Sequence, residues 1–417
     1  MSADTEKKIK IGCIADDFTG AGDAASYLAA GGMRPLLLIW PCGEAQIPPE
    51  CDAVVVALKS RSESPEAAID ESLQAAEWLK ARGAEKLYFK YCSTFDSTPA
   101  GNIGPVSDAI MEKYGIKYTV LCPTMIPNGR MVRDGILYVY GVPLAESHMK
   151  DHPLNPMWDS SVKNLMEAQS RYACFTLSPE KYLEPAGLSE YIDELSKENS
   201  HFYLVPDFFK PEHGVEIAGV FGSLPFITGA SELLYYLAGK VRTDVPENKA
   251  DGHASACRYG RVMVAGSCSD MSRRQIKAWL DSGGRAVRVG SDMLYDAAEK
   301  SIEKITDIFL EHPEKDILVY SAGDMNDRPD QPQEVEIFNA ELVYKLLAAA
   351  KVERLIIAGG ETSGAVMKRL GLHAFNIGES VAPGVPVLYP VGKNGLRIVL
   401  KSGNFGSEDF FLTTLKE

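Results

Sequence analysis

Short apolar runs that alternate with helix-period stretches are the feature that most narrows what this chain can fold into. In the first half the runs fall at residues 9–15, 35–39, 53–58, 86–91, 118–122 and 202–206. Helical patterns lie between several of them, as at 65–82 and 104–114. The runs are apolar on both faces, as expected for strands covered by helices on both sides. Strand–helix–strand alternation predicts βαβ units and a mostly parallel sheet. The segment 242–261, RTDVPENKADGHASACRYGR, is polar and weakly periodic and reads as a linker. Beyond it the alternation restarts, with strands at 262–265, 286–289, 316–320, 354–358, 387–388 and 397–400. Helices are expected there at 273–281, 293–310, 333–351 and 364–370. The expected fold is α/β in two domains, 1–241 and 262–417, each a mostly parallel sheet flanked by helices.

Bulk properties narrow the function classes. A chain of 417 residues has room for two or three domains and a large core. The formal net charge of -14 argues against a nucleic-acid or anionic-membrane surface, though a local cluster of Lys and Arg can still hold a small anion. The N-terminus, MSADTEKKIK, lacks the apolar core of a secretory signal. No run approaches the roughly 18 apolar residues of a membrane span. The expectation is a cytoplasmic protein without membrane or nucleic-acid partners; a homo-oligomer stays open. Of the eight cysteines no two form a C-x-x-C pair, so reduced, buried thiols are expected rather than zinc or disulfides.

Three polar clusters follow strands of the first half. The first is IADDFTGAGDAA, residues 14–25. Its Gly20-Ala-Gly22-Asp-Ala-Ala25 matches G-x-G-x-x-A, a dinucleotide pattern. Asp16 and Asp17 would set negative charge beside the pyrophosphate, and the second strand ends without the acid that would hold a ribose, so that reading is weak. One of the two carboxylates is expected to cap the following helix. The other would accept hydrogen bonds from a polyhydroxylated substrate or take its proton. Successive residues leaving a strand point to opposite sides, so Asp17 is expected to face substrate and Asp16 to cap the helix or order the loop.

The second cluster, LKSRS, carries Lys59 and Arg61. They read either as solvated loop charges or as ligands, with Arg61 bridging a substrate carboxylate through its planar fork. The third, KYCSTFDST, carries Lys90, Ser93, Thr94, Asp96 and Ser97. Asp96 rivals Asp17 as the group that takes the proton. Three such clusters at successive strand ends fall on one rim of a parallel sheet, where α/β proteins bind ligands. Cations, carboxylates and hydroxyls together suit a small acid bearing several hydroxyls. His148 and His152 are four apart, but Pro153 follows, which disfavours a helical metal site.

The second half has no Walker G-x-x-x-x-G-K-[ST]. It has three loops of small residues after strands. One holds Ser267, one holds Gly359, Gly360, Glu361, Thr362 and Ser363, and one holds Ser402 and Gly403. The first two lead into helices, so backbone N–H groups can face a phosphate at a helix N-terminus. Tight turns that need positive φ are the rival reading for any one of them.

These landmarks together resemble the four-carbon acid sugar kinase family over nearly the whole chain. They are IADDFTGAGDAA, LKSRS, YFKYCSTFDST with GNIGPV, HPLNPM, GSCS, AGGETSG, APGVP and LKSGNFGSEDFF. YFKYCSTFDST and LKSGNFG are most similar to the branch that phosphorylates 3-oxo-tetronates; threonate and erythronate remain alternative substrates. The resemblance implies an acid-sugar domain at 1–241, an ATP domain at 262–417, and transfer of phosphate from ATP with Mg2+ to a C4 hydroxyl. It implies acid binding by Asp17, Arg61 and residues 90–97, and nucleotide binding by Ser267, residues 360–363 and Gly403. The chain departs from the family at Gly229-Ala230-Ser231, where two glycines usually precede the serine. An NAD-linked dehydrogenase and a non-catalytic sugar-acid sensor are the alternatives from other classes.

Overall fold

Ala15, the last residue of the first strand, pairs with Ala57 on one side and Lys90 on the other, so three strands end in line. This alignment belongs to a computed structural model that describes residues 9–95, 97–151, 155–241, 259–321 and 332–416. The chain divides into two units, Met1–Pro246 and Glu247–Glu417. The expected linker falls largely on residues 242–258, which lie outside the described residues.

The strands of the first unit are β1 (Ile11–Ala15), β2 (Pro35–Ile39), β3 (Ala53–Ala57), β4 (Lys86–Lys90), β5 (Tyr118–Cys122), β6 (Arg130–Arg133), β7 (Ile136–Val139), β8 (Val142–Pro143), β9 (Ala173–Leu177), β10 (Phe202–Pro206) and β11 (Phe226–Gly229). Eight of them lie in the order β2-β3-β1-β4-β11-β5-β10-β9, and every pairing is parallel. β6, β7 and β8 form a separate antiparallel sheet. β1, β2 and β3 are buried along their whole length, which is why their sequences run Val, Ile, Leu and Ala without alternation. The chain leaves β1 toward β2 on one side and β3 toward β4 on the other. The carboxyl ends of β1 and β4 are therefore a topological switch point, where such sheets open a crevice.

The second unit has β12 (Val262–Ala265), β13 (Ala286–Arg288), β14 (Ile317–Tyr320), β15 (Arg354–Ala358), β16 (Ala374–Ala382), β17 (Val385–Pro390) and β18 (Arg397–Lys401). Their order is β13-β14-β12-β15-β18-β17-β16. β17 is antiparallel to both its neighbours and the other pairs are parallel. Here the switch point lies between β12 and β15. Helix Asp270–Asp281 buries Ile276 and Trp279 in one core with Met263, Leu318, Ile356, Val399 and Phe410.

Several expected boundaries shift. The helix that follows β1 begins at Phe18, directly after its cap Asp17. The helix expected at 364–370 begins at Gly360, so residues 360–363 are its first turn rather than a loop. The helix expected at 293–310 runs Ala298–Glu311, behind two single 3-10 turns. β9 and β11, the small antiparallel sheet and β16 lack the strong apolar runs on which strands were read. No disulfide joins the seven described cysteines; Cys92 and Cys268 are half-buried and the other five are buried. Among the described residues no helix is long and apolar enough to cross a membrane.

Candidate functional site

In the first unit the loops after β3, β1 and β4 meet on one rim, because those strands are neighbours and parallel. Asp16 is buried, and its backbone carbonyl accepts from the N–H groups of Ser60 and Arg61 at 3.1 and 3.2 Å. Its carboxylate is gripped by Arg61, with Nε 2.9 Å from Oδ2 and Nη2 2.7 Å from Oδ1. Arg61 Nη1 lies 2.8 Å from Asp17 Oδ2. Burial pushes the Asp16 carboxyl above its ordinary range, with Arg61 opposing. Burial also works against the Arg61 charge, but Asp16 and Asp17 hold its pKa well above the usual arginine value. Three of the five guanidinium donors are thus engaged.

One expectation is corrected here and another is narrowed. Asp17, not Asp16, caps the helix Phe18–Ala30: its Oδ1 accepts from Gly20 N at 2.5 Å, one of the orphan donors of a helix start. The planar fork of Arg61, expected on a substrate carboxylate, is taken by Asp16, because the backbone contacts of Asp16 with the β3 loop bring the two side chains together. The cap also disposes of the dinucleotide pattern. A Cβ on Gly20 would overlap Asp17 Oδ1, so this glycine makes room for a carboxylate where the pattern needs a phosphate. Asp17 is about a quarter exposed, at 23% of its side chain against 6% for Asp16, and is the more accessible acid.

Lys90 ends β4 and is buried. Its Nζ donates to Tyr91 O at 2.9 Å and lies 3.9 Å from Asp23 Oδ2. Asp23 was not singled out from the sequence. It sits on the sheet-facing side of helix Phe18–Ala30, accepts from Ser231 Oγ at 2.6 Å, and keeps an Oδ1 without a partner among the described residues. Burial raises its pKa to about 6, against the pull of Lys90 and Ser231. The available signal was one acid on an otherwise small-residue helix face. Ala230 fits at the family's second glycine position: its N–H donates to Cys122 O at 2.8 Å and its carbonyl accepts from Tyr88 at 2.6 Å.

The other expected residues divide. Thr94 is buried, with Oγ1 2.8 Å from Cys92 Sγ, and Ser93 is half-buried. Buried Phe95 turns the loop with φ of 47°, a conformation rare outside glycine. Ser97 is buried and donates to Gln169 Oε1 at 3.1 Å, which makes it a brace of the loop. Lys59 is exposed, whereas Ser60 beside it is buried. Asp96 and His152 lie outside the described residues. Asn102, also missed, donates to the carbonyls of Ser60 and Glu63 at 2.7 and 2.9 Å and so pins the Arg61 loop.

In the second unit three loops converge at the β12–β15 switch point. Gly266 N and Ser267 N both donate to Ala358 O, at 3.0 and 3.2 Å. A Cβ on Gly403 would overlap Ser267 Oγ and come within 2.7 Å of Ser269 Oγ. Ser272 Oγ donates to Gly403 O at 3.0 Å. Gly359 has φ of 126°, which side-chain-bearing residues rarely adopt, and gives the helix Gly360–Leu370 no side-chain cap. Ser363 Oγ turns inward to Gly359 O at 2.7 Å, and Thr362 is buried against Gly266. Residues 360–362 therefore offer a ligand backbone N–H groups, that of Ser363 donating to Gly359 O at 2.9 Å, while Glu361 is exposed. Among the described residues no three His, Cys, Asp or Glu are grouped to hold a metal ion.

Comparison with known proteins bears on both units. A model described as a sugar-binding N-terminal domain matches residues 11–237, and one described as a nucleotide-binding C-terminal domain matches residues 262–411. The chain is 37% identical over 425 residues to a 3-oxo-tetronate kinase of Pseudomonas savastanoi pv. phaseolicola, covering 98% of this chain and 97% of that one. It is 38% identical over 421 residues to a 3-oxo-tetronate kinase of Salmonella typhimurium, covering 98% and 99%. A solved Salmonella typhimurium LT2 protein described as a tRNA synthase is similar with a TM-score of 0.84 and 35% identity, over 98% of this chain and 99% of that one.

Proposed function

The chain belongs to the four-carbon acid sugar kinase family, and we propose that within it this protein transfers phosphate from ATP to the C4 hydroxyl of a 3-oxo-tetronate. Residues 1–241 take the acid and residues 262–417 the nucleotide. The observation that carries the acid site is the meeting of Asp16, Asp17, Arg61 and Lys90 at the ends of three adjacent parallel strands. Phosphoryl transfer asks of a protein mainly positioning and charge stabilisation. Asp16 holds the Arg61 guanidinium in place, and the two remaining guanidinium donors meet the acid's oxygens. Asp17 orients the reacting hydroxyl and takes its proton; Asp96 is the rival for that role. Ser93 and Thr94 line the same cluster, and Lys59 contributes charge at its edge.

On the nucleotide side the first turn of the helix, residues 360–363, receives the phosphates through the backbone N–H groups of 360–362, with Ser267, Ser402 and Gly403. Mg2+ enters with ATP, for such ions are held chiefly by substrate phosphates, water and one or two carboxylates. Glu361, exposed in the first turn of its helix, is the carboxylate these loops offer it. When bound, the ion neutralises charge on the transferring phosphate.

The test is release of ADP by the full chain with ATP, Mg2+ and a panel of four-carbon acids, with 31P NMR on the product. The expected outcome is acid-dependent ADP release, fastest with a 3-oxo-tetronate, and a phosphate ester on C4. Faster turnover of threonate or erythronate would move the substrate to that acid. Absence of acid-dependent ADP release would overturn the kinase reading.

A further inference from the structure

Lys401 is the last residue of β18 and pairs with Ala358, the last residue of β15. Its backbone carbonyl accepts from Gly359 N at 2.9 Å, so it lies directly behind the glycine that starts the helix Gly360–Leu370. Its side chain is fully buried. The ammonium donates to Ser402 O at 3.0 Å and Gly403 O at 3.1 Å, and it lies 5.7 Å from the centre of the Phe410 ring. Among the described residues no carboxylate is within ion-pair distance of it.

A buried cation ordinarily keeps an anion, because its charged form is otherwise poorly solvated. Two other buried cations of this chain, Arg261 and Lys90, follow that rule. Arg261 has Asp316 at 2.7 Å. Lys90, which ends β4 beside β1 much as Lys401 ends β18 beside β15, has Asp23 at 3.9 Å. Lys401 has carbonyls and a ring instead, and burial lowers its pKa to about 7. An amine in that state gains most from an anion that arrives with a ligand.

The contacts also have a directional consequence. In a trans peptide the carbonyl and the following N–H point opposite ways. With the carbonyls of Ser402 and Gly403 drawn to the buried ammonium, the N–H groups of Gly403 and Asn404 are turned away from it.

We propose that Lys401 is the positioning cation of the nucleotide site, orienting the Ser402–Gly403 turn from beneath and supplying a buried positive charge that the nucleotide's phosphates balance. This rests on the reading of the three loops as the nucleotide site.

The test compares the full chain with Lys401→Met, Lys401→Gln and Lys401→Arg by calorimetry, using ADP and adenosine as probes, alongside thermal melts without ligand. Met removes a buried amine with no anion, so its melting temperature should not fall near neutral pH. ADP affinity should drop about ten- to hundredfold in the Met and Gln variants, the scale of a charge-assisted hydrogen bond. Adenosine, which lacks phosphates, should bind all variants alike, and Arg should recover part of the ADP affinity. If Met misfolds, Gln carries the comparison. A folded neutral variant that binds ADP as tightly as the parent overturns the proposal, as does equal loss of ADP and adenosine. A parent that binds adenosine but gains nothing from the phosphates of ADP sinks it too. A parent that binds neither probe instead overturns the nucleotide reading on which it rests.

Discussion

Arg61 meets Asp16 as a fork, Nε and Nη2 lying 2.9 and 2.7 Å from the two carboxylate oxygens. The same guanidinium reaches Asp17 at 2.8 Å. Consecutive acids thus share one cation, but in different roles: Asp16 is buried and doubly bound, while Asp17 also caps a helix and keeps an exposed edge.

That division predicts opposite behaviour for the two amides. Asp16→Asn should lower stability by about 1.5–3 kcal/mol, the scale of a lost charge-assisted hydrogen bond. Asp17→Asn should melt close to the parent, since Asn caps a helix about as well as Asp. Its kcat should fall by roughly 10²–10⁴, because an amide cannot take the proton. Thermal melts and steady-state kinetics on both variants check this. A normal kcat in Asp17→Asn with an inactive Asp96→Asn would give the proton to Asp96.

Arg61→Lys should not restore an Arg61→Ala defect. A point charge cannot span two oxygens of Asp16 and one of Asp17 as the planar group does. We expect kcat/KM for the acid to fall by about one to two decades in both variants, with ADP affinity unchanged. Parent-like kinetics in Arg61→Lys would show that charge alone suffices.

Gly403→Ala should weaken ADP binding by about tenfold or more, some 1.4 kcal/mol. The added methyl would overlap Ser267 Oγ and crowd Ser269, and the turn must shift to admit it. Acid binding should be unaffected. Calorimetry with each ligand separately would expose the opposite pattern.

Glu232 makes stability depend on pH. Burial raises its pKa from 4.5 to about 7, against the pull of the Ile126 N–H and Tyr236. Between those values the folded chain holds a proton that the unfolded chain has released, so this group's contribution falls as pH rises through the window. Above pH 7 the folded state carries a buried carboxylate at full cost. Glu232→Gln keeps an acceptor for Ile126 and has no proton to lose. It should melt higher than the parent at pH 8, by about 2–4 °C for each kcal/mol recovered, and the gap should close by pH 4.5. A gap that stays constant with pH would reject the assignment.

Much of this architecture was legible in local pattern. β1, β2, β3, β12 and β15 are apolar runs because both faces are buried, and the polar clusters that follow several strands sit at both switch points. Elements without such runs escaped notice. β11 is four residues long and ends in glycine, and β9 is only partly buried, so neither carries a strong period. Asp23 looked like one acid within a small-residue helix; only packing against Lys90 and Ser231 makes it part of the site.

By itself the sequence determined which residues follow the strands and that loops of small residues follow β12, β15 and β18. These follow from side-chain size, polarity and spacing over a few residues. Tertiary structure decided that Asp17 rather than Asp16 is the cap, because Arg61, 45 positions away from Asp16, claims the other acid. It also decided that Lys401 is a buried ammonium facing carbonyls rather than a surface charge. Burial depends on what neighbouring strands and loops bring from far along the chain, and the solvation of a charge changes with it more than with any local pattern.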